Sequence, residues 1–339
     1  MAKQSLSKRE YAVAEKLFSQ AQRDAKNNVE ISLGLAFSLW HQKKYDLAVV
    51  EFSKCHQLNL NNDRVIKELT SALIQLNRED EALSVCNTTL KKHPANITAL
   101  TGRDWVLSKI APLWHIPMMN EKTRNNAYFE SLKSADIKSN HLVFEIGTGS
   151  GLLSLMAAKL GAGRVITCEQ KQSVALLAAK AVKQNKLNNI IDVLPKISSS
   201  VDIGTDMPER ADILIHEIFS SELLNEGVIP AIEDAWRRLL KPNAKVIPGY
   251  AAIKLALVGG SAIKNNCYVD EVFGFDLSVF NNSQPKKIPI YREDLKLELL
   301  SDEFEGFGFD FQNQKEFPIE SKEIEILATT SGQCFGLVQ

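Results

Sequence analysis

The chain has 339 residues, enough for two or three domains, and its charges nearly cancel: 40 Lys and Arg against 41 Asp and Glu. That balance excludes a globally basic nucleic-acid wrapper and a polyacidic tail protein. An apolar fraction of 45% supplies a sizeable core, while 17 Gly and 11 Pro are too few for a collagenous or low-complexity chain. The apolar run at 251–262 is short for a membrane span and carries Lys254, and the first residues, MAKQSLSKREY, have no apolar region of a secretory signal. The five cysteines, at 55, 86, 168, 267 and 334, form no C-x-x-C pair. The expectation is neither a disulfide framework nor a metal site, in a reducing, cytoplasmic compartment.

Residues 1–100 repeat with a period of 34: Ala14, Ala48 and Ala82 are in phase, as are Phe18 and Phe52, Tyr11 and Tyr45, Leu35 and Leu69, and Leu39 and Leu73. Small residues at Ala48 and Ala82 let two antiparallel helices approach closely, and Pro94 ends the helix that begins in 81–93. The pattern resembles tetratricopeptide repeats, a half repeat followed by units at about 29–62 and 63–96, against an ordinary bundle with a chance period. Stacked repeats present a concave surface that binds a peptide or protein partner.

Residues 101–247 change character. Strand-like runs at 141–146, 164–169, 190–194, 211–217 and 244–248 alternate with helical periodicity at 152–160, 173–185 and 231–240. Such alternation predicts a parallel sheet covered on both faces. In 248–339, strands are expected at 251–260, 288–294, 295–301, 322–331 and 333–339, a β-rich region. The fold class is therefore α/β: all-α repeats, a Rossmann-like parallel-sheet core, then an incomplete barrel-like β region. Its uncovered strand edges and apolar surface would favour homo-oligomers.

The first βα turn reads Glu145-Ile-Gly147-Thr-Gly149-Ser-Gly151. Glycines remove Cβ atoms where a ligand meets the backbone, and the next helix offers free N–H groups. Leu152 stands where a dinucleotide fingerprint needs glycine, and the G-x-G-x-G spacing instead resembles that of the adenosylmethionine methyltransferases, which implies S-adenosylmethionine as the cofactor. Glu169 ends the next strand, 22 residues after Gly147, where an acid can accept both ribose hydroxyls. The loop after 211–216 carries Glu217 and Glu226, and the stretch 211–234 holds six acids and no Lys or Arg. Two converging carboxylates repel unless a cation sits between them, and a guanidinium fits: planar, always charged, and matched to carboxylates bidentately. Holding it before a methyl donor makes the transfer mainly a matter of positioning.

Residues 143–170 and 216–230 closely resemble the protein arginine methyltransferases, and 239–248, 114–125 and 272–278 are similar to further segments of that family. The resemblance spans roughly 104–339. The loop wording with EG-x-x-P is closest to the branch holding the monomethylating and the repeat-bearing members, and repeats ahead of the core point to the repeat-bearing member, whose family activity is symmetric dimethylation; the product, mono-, symmetric or asymmetric, stays open. It implies that Glu217 and Glu226 are catalytic and hold substrate guanidinium. It implies cofactor contacts from His115, Met118, Arg124 (to the cofactor carboxylate), Gly147, Gly149, Gly151, Glu169 (to ribose) and Ser199 (on the adenine side). The implied partners are an arginine-containing protein substrate and a protein on the repeats, with no nucleic acid and no membrane. The family's Thr-His-Trp triplet does not occur; the histidines are 41, 56, 93, 115, 141 and 216. That departure keeps a second reading open, a cofactor-binding adaptor with weak or no turnover that acts through its repeats.

Overall fold

The computed structural model describes residues 1–25, 27–111, 114–283, 287 and 297–339. It divides into two compact units, residues 1–121 with 171–177, and residues 122–170 with 178–339.

The first unit is built from helices α1 (Ala2–Ser7), α2 (Tyr11–Asp24), α3 (Val29–His41), α4 (Tyr45–Leu58), α5 (Asp63–Gln75), α6 (Glu79–Lys92), α7 (Ile97–Ile110) and α8 (His115–Asn120). The 34-residue period is a period of hydrogen bonds as well as of apolar residues. Asn28, Asn62 and Asn96 precede α3, α5 and α7, and each side-chain oxygen accepts an N–H three residues on, at 3.2, 3.2 and 2.6 Å. Each cap satisfies one of the donors that a helix start leaves unpaired. Arg9, Lys43 and Asn77, spaced by the same interval, all adopt left-handed backbone, with φ of 61°, 62° and 54°. After each, the next N–H reaches back to Ser5, Leu39 or Leu73, at 2.9, 3.0 and 2.9 Å, closing the helix end. Ala14, Ala48 and Ala82 are fully buried, where small side chains let helices touch. Gly34 lies so close under the Phe18 ring that a Cβ there would stand 2.3 Å from Cζ. The core of this unit gathers Phe18, Phe52, Leu69 and Leu73.

The second unit opens with α9 (Lys122–Ser134) and continues through β1 (Leu142–Ile146), α10 (Leu152–Lys159), β2 (Arg164–Cys168), α11 (Gln172–Gln184, whose first residues belong to the other unit), β3 (Ile191–Leu194), β4 (Ala211–His216), α12 (Val228–Arg238) and β5 (Leu240–Ile247). The five strands are parallel, in the order β3-β2-β1-β4-β5. All five β1 residues are buried, which is why its sequence is a continuous apolar run broken only by Glu145. Ile146 pairs with His216 across β1 and β4. The loops after these two strands therefore start side by side, at the point where the strand order reverses and α/β sheets place ligands.

An antiparallel region follows: β6 (Tyr250–Gly259), α13 (Ser261–Cys267), β7 (Glu271–Val272), β8 (Phe275–Asp276), β9 (Glu298–Leu299), β10 (Phe304–Asp310) and β11 (Cys334–Val338). β6 is central, flanked by β10 and β11, with β9 also on β6. The strands expected at 251–260 and 333–339 are β6 and β11. The one expected at 288–294 lies outside the described residues, as do the first two residues of 295–301, whose described part contains β9. The strand expected at 322–331 does not form. Its alternation of Ile with Glu suits a strand, but the segment is mostly exposed. Its recorded main-chain bonds are two N–H groups, of Thr329 and Thr330, shared on the Leu300 carbonyl. Without a partner among the described residues to complete a ladder, alternation alone does not make a strand.

Candidate active site

The glycine turn after β1 has φ of 82°, 52° and 82° at Gly147, Gly149 and Gly151. Gly147 has a second constraint: a Cβ would stand 2.5 Å from Ile218 Cγ2, in the neighbouring loop. The N–H groups of Gly147 and Thr148 both donate to the Cys168 carbonyl, at 3.0 and 3.1 Å, tying the turn to the end of β2. The Gly149 N–H donates to Glu169 Oε2 at 3.2 Å, which sets a carboxylate directly beside the turn.

Beneath the turn lies Glu145, wholly buried, with Ser154 Oγ donating to its Oε2 and Oε1 without a hydrogen-bond partner among the described residues. Burial pushes its carboxyl up to about 7. Thr148 and Thr167 join hydroxyls at 2.6 Å alongside.

On the other loop, Glu217 Oε2 is paired with Arg124 Nη2 at 2.8 Å, both side chains being largely buried. Arg124 is on α9, where its Nη1 donates to Asn125 Oδ1 at 3.1 Å and its guanidinium lies 5.2 Å from the Tyr128 ring centre. Tyr128, one helical turn on, donates its hydroxyl to the His216 carbonyl at 3.2 Å. One helix face therefore grips both the last residue of β4 and the first of the loop. His216 is fully buried, its Nε2 donating to the Pro248 carbonyl at 3.1 Å and its ring edge-on to Phe219 and Phe311, each 5.2 Å away. Desolvation drives its pKa down to about 4, so the ring is neutral.

Glu226 is exposed at the end of the loop, next to Gly227, which has φ of 74° and begins α12. Partial burial of its carboxyl raises its pKa, and the charge of Glu169 adds to this. Glu169 and Glu226 thus share one electrostatic neighbourhood, as Arg124 and Glu217 share one ion pair. Ser199 is exposed, and its carbonyl accepts from Arg238 at 3.3 Å. His115 and Met118 belong to α8 of the first unit, where His115 stacks on Trp114 with ring centres 4.0 Å apart. Sequence reasoning missed Glu145, Tyr128 and His216. Tyr128 had a signal, its four-residue spacing from Arg124; a buried acid inside an apolar strand and a histidine before a loop carry none that separates site from core.

The donor set fits S-adenosylmethionine: a Cβ-free cradle, an acid for a ribose diol, a guanidinium for a carboxylate. Comparison with known proteins agrees. Residues 127–248 match the family model described as ribosomal protein L11 methyltransferase (PrmA). An arginine N(omega)-methyltransferase of Streptomyces achromogenes is 30% identical over 269 residues, 78% of this chain and 74% of that protein. The chain belongs to the arginine N-methyltransferase family. A second family member, protein arginine N-methyltransferase 7 of Oryza sativa, is 29% identical over 249 residues, and this arginine methyltransferase chain spans 34% of its length. The Trypanosoma brucei PRMT1 enzyme-prozyme complex, a heterotetramer with AdoHcy, shares the fold, with a TM-score of 0.53, 24% identity, and coverage of 62% of this chain and 65% of that one.

Proposed function

We propose that the protein transfers a methyl group from S-adenosylmethionine to a guanidino nitrogen of arginine in protein substrates. The observation that carries this reading is the Arg124–Glu217 bond: at the end of β4, beside the glycine turn, the loop already grips a guanidinium at 2.8 Å. The cofactor, when bound, supplies an electrophilic methyl on a sulfonium. The glycine turn and the α10 N-terminus receive its amino-acid part, and Glu169 its ribose hydroxyls. Ser199 is a further contact in this proposal. Glu217 orients the substrate guanidinium, concentrating charge away from the nitrogen that attacks. Glu226, with its raised pKa, is the group suited to accept the proton released after transfer.

The helical repeats are tetratricopeptide-like in this reading and recruit a protein partner, residues 1–100 forming that domain, 101–247 the transferase core and 248–339 the β region. The free cysteines, three of them buried, suit a reducing cytoplasm. The test is labelled S-adenosylmethionine with a glycine- and arginine-rich peptide, followed by hydrolysis and mass spectrometry. Label in methylarginine that disappears in Glu217→Gln supports the enzyme. Cofactor binding without label supports the adaptor.

A further inference from the structure

Helices α3, α5 and α7 share a row of equivalent positions, one repeat apart, held by Phe37, Ser71 and Trp105. The three helices are neighbours. The Arg64 guanidinium of α5 lies 5.2 Å from the Phe37 ring centre on α3, and Asn96, which caps α7, donates to Asp63 at the start of α5 at 3.0 Å. Phe37 and Ser71 are half-buried, and Trp105 is 40% exposed. A serine between two aromatics leaves a recess with apolar walls. Cations stand along its rim. Arg64 and Lys67 precede Ser71 on α5 by two turns and by one, and Lys109 follows Trp105 on α7 by one. All three are exposed, and none forms an ion pair among the described residues. The carboxylates of these helices are engaged elsewhere or half-buried. Glu30 pairs with Lys3 at 3.4 Å, Asp63 accepts from Asn96, Asp104 pairs with Arg103 at 3.6 Å, and Glu68 is half-buried. The face therefore sets uncompensated positive charge around an apolar seat.

Resting on the recruiting role proposed for the repeats, we propose that this face docks an acidic peptide segment of a partner protein, its carboxylates on Arg64, Lys67 and Lys109 and one apolar side chain over Ser71. Complementary charge selects the segment and speeds its arrival, while the aromatic walls hold it. Arg64 already lies over an aromatic ring, which orients its planar donors for a carboxylate. The preference is opposite to that of the loop after β4, where 211–234 holds six acids and no Lys or Arg. A uniformly basic substrate suits that loop and is repelled by this face. The docking segment is therefore chemically distinct from the segment that carries the target arginine.

The experiment is fluorescence anisotropy of the full chain with three fluorescein-labelled probes. They are a heptapeptide with leucine at its centre and glutamates on both sides, its counterpart with lysine in place of glutamate, and heptauridylate. The acidic peptide is expected to bind at least about tenfold more tightly than either other probe, and to weaken as salt rises. Arg64→Glu with Lys67→Glu should weaken it about tenfold or more, Trp105→Ala about fivefold, and Lys91→Glu with Lys92→Glu on α6 less than about twofold, with thermal melts showing that each variant is folded. Binding that is indifferent to salt, or that survives Arg64→Glu with Lys67→Glu, overturns the site. Tighter binding of the lysine peptide overturns the acidic partner and leaves peptide recruitment standing; tighter binding of heptauridylate replaces the peptide with a nucleic acid and overturns the proposal. No binding of any probe overturns both the docking face and the recruiting role.

Discussion

The repeat unit and the transferase sheet treat buried polar groups in opposite ways. In the repeats they are closed into networks. Gln22 donates to Ser32 and to Glu51, at 3.0 and 2.7 Å, and His56 pairs with Thr89 at 2.8 Å. In the transferase unit, two buried polar atoms lack a partner among the described residues, Glu145 Oε1 and His216 Nδ1. One lies under the glycine turn and the other directly before Glu217. Unsatisfied buried groups cost about 1–3 kcal/mol each, and natural folds tolerate them where function demands a particular arrangement. The repeats are built for stability, and the strand ends for a site.

If that contrast holds, substitutions in the two units fail in different currencies. The largest effect belongs to Glu217→Gln. Losing a positioned charged group is expected to lower kcat by ~100–1,000-fold, and because Arg124 loses its largely buried partner the melting temperature should fall as well, read by methyl-transfer assay and calorimetry. Conversely, Phe52→Ala, in the packed repeat core, should remove about 3–5 kcal/mol from that unit while a short peptide is still methylated. Denaturant titration and the peptide assay together check it, and a large loss of peptide turnover in folded protein would break the contrast.

A subtler test lies in acid. Glu145 has its folded pKa raised from 4.5 to about 7. The native state therefore holds its proton longer than the unfolded chain, and stability falls as pH rises across that window. His216 has its folded pKa lowered from 6.5 to about 4. There the unfolded chain binds the extra proton, and stability rises with pH across nearly the same window. Each slope approaches about 1.4 kcal/mol per pH unit, with opposite sign, so the parent should show little net dependence from these two groups. Glu145→Gln should unmask the positive slope and His216→Gln the negative one, measured as unfolding free energy against pH. The smallest effect is Asn62→Ala, which deletes one cap and should cost ~1 kcal/mol.

Much of this architecture was visible in the chain before its coordinates. The 34-residue period, the strand–helix alternation and the three glycines follow from local rules about volume, periodicity and φ, so they survive translation into structure. What was hidden depends on pairing across the fold. Arg124 and Glu217 are far apart in sequence, and nothing local says that they meet. The segment 322–331 alternates as a strand should but finds no ladder among the described residues, and Glu145 reads as an interruption of a buried strand until Ser154 is seen beside it. The asparagine caps were legible in principle: they sit one residue before each unit and recur with the alanines.

Those caps turn the N-terminal helices into a ruler. Because cap, left-handed corner and buried alanine all return in register, duplicating residues 63–96 would leave every junction in phase at both new seams. The helical unit could be lengthened by whole modules with every cap, corner and buried alanine kept in register.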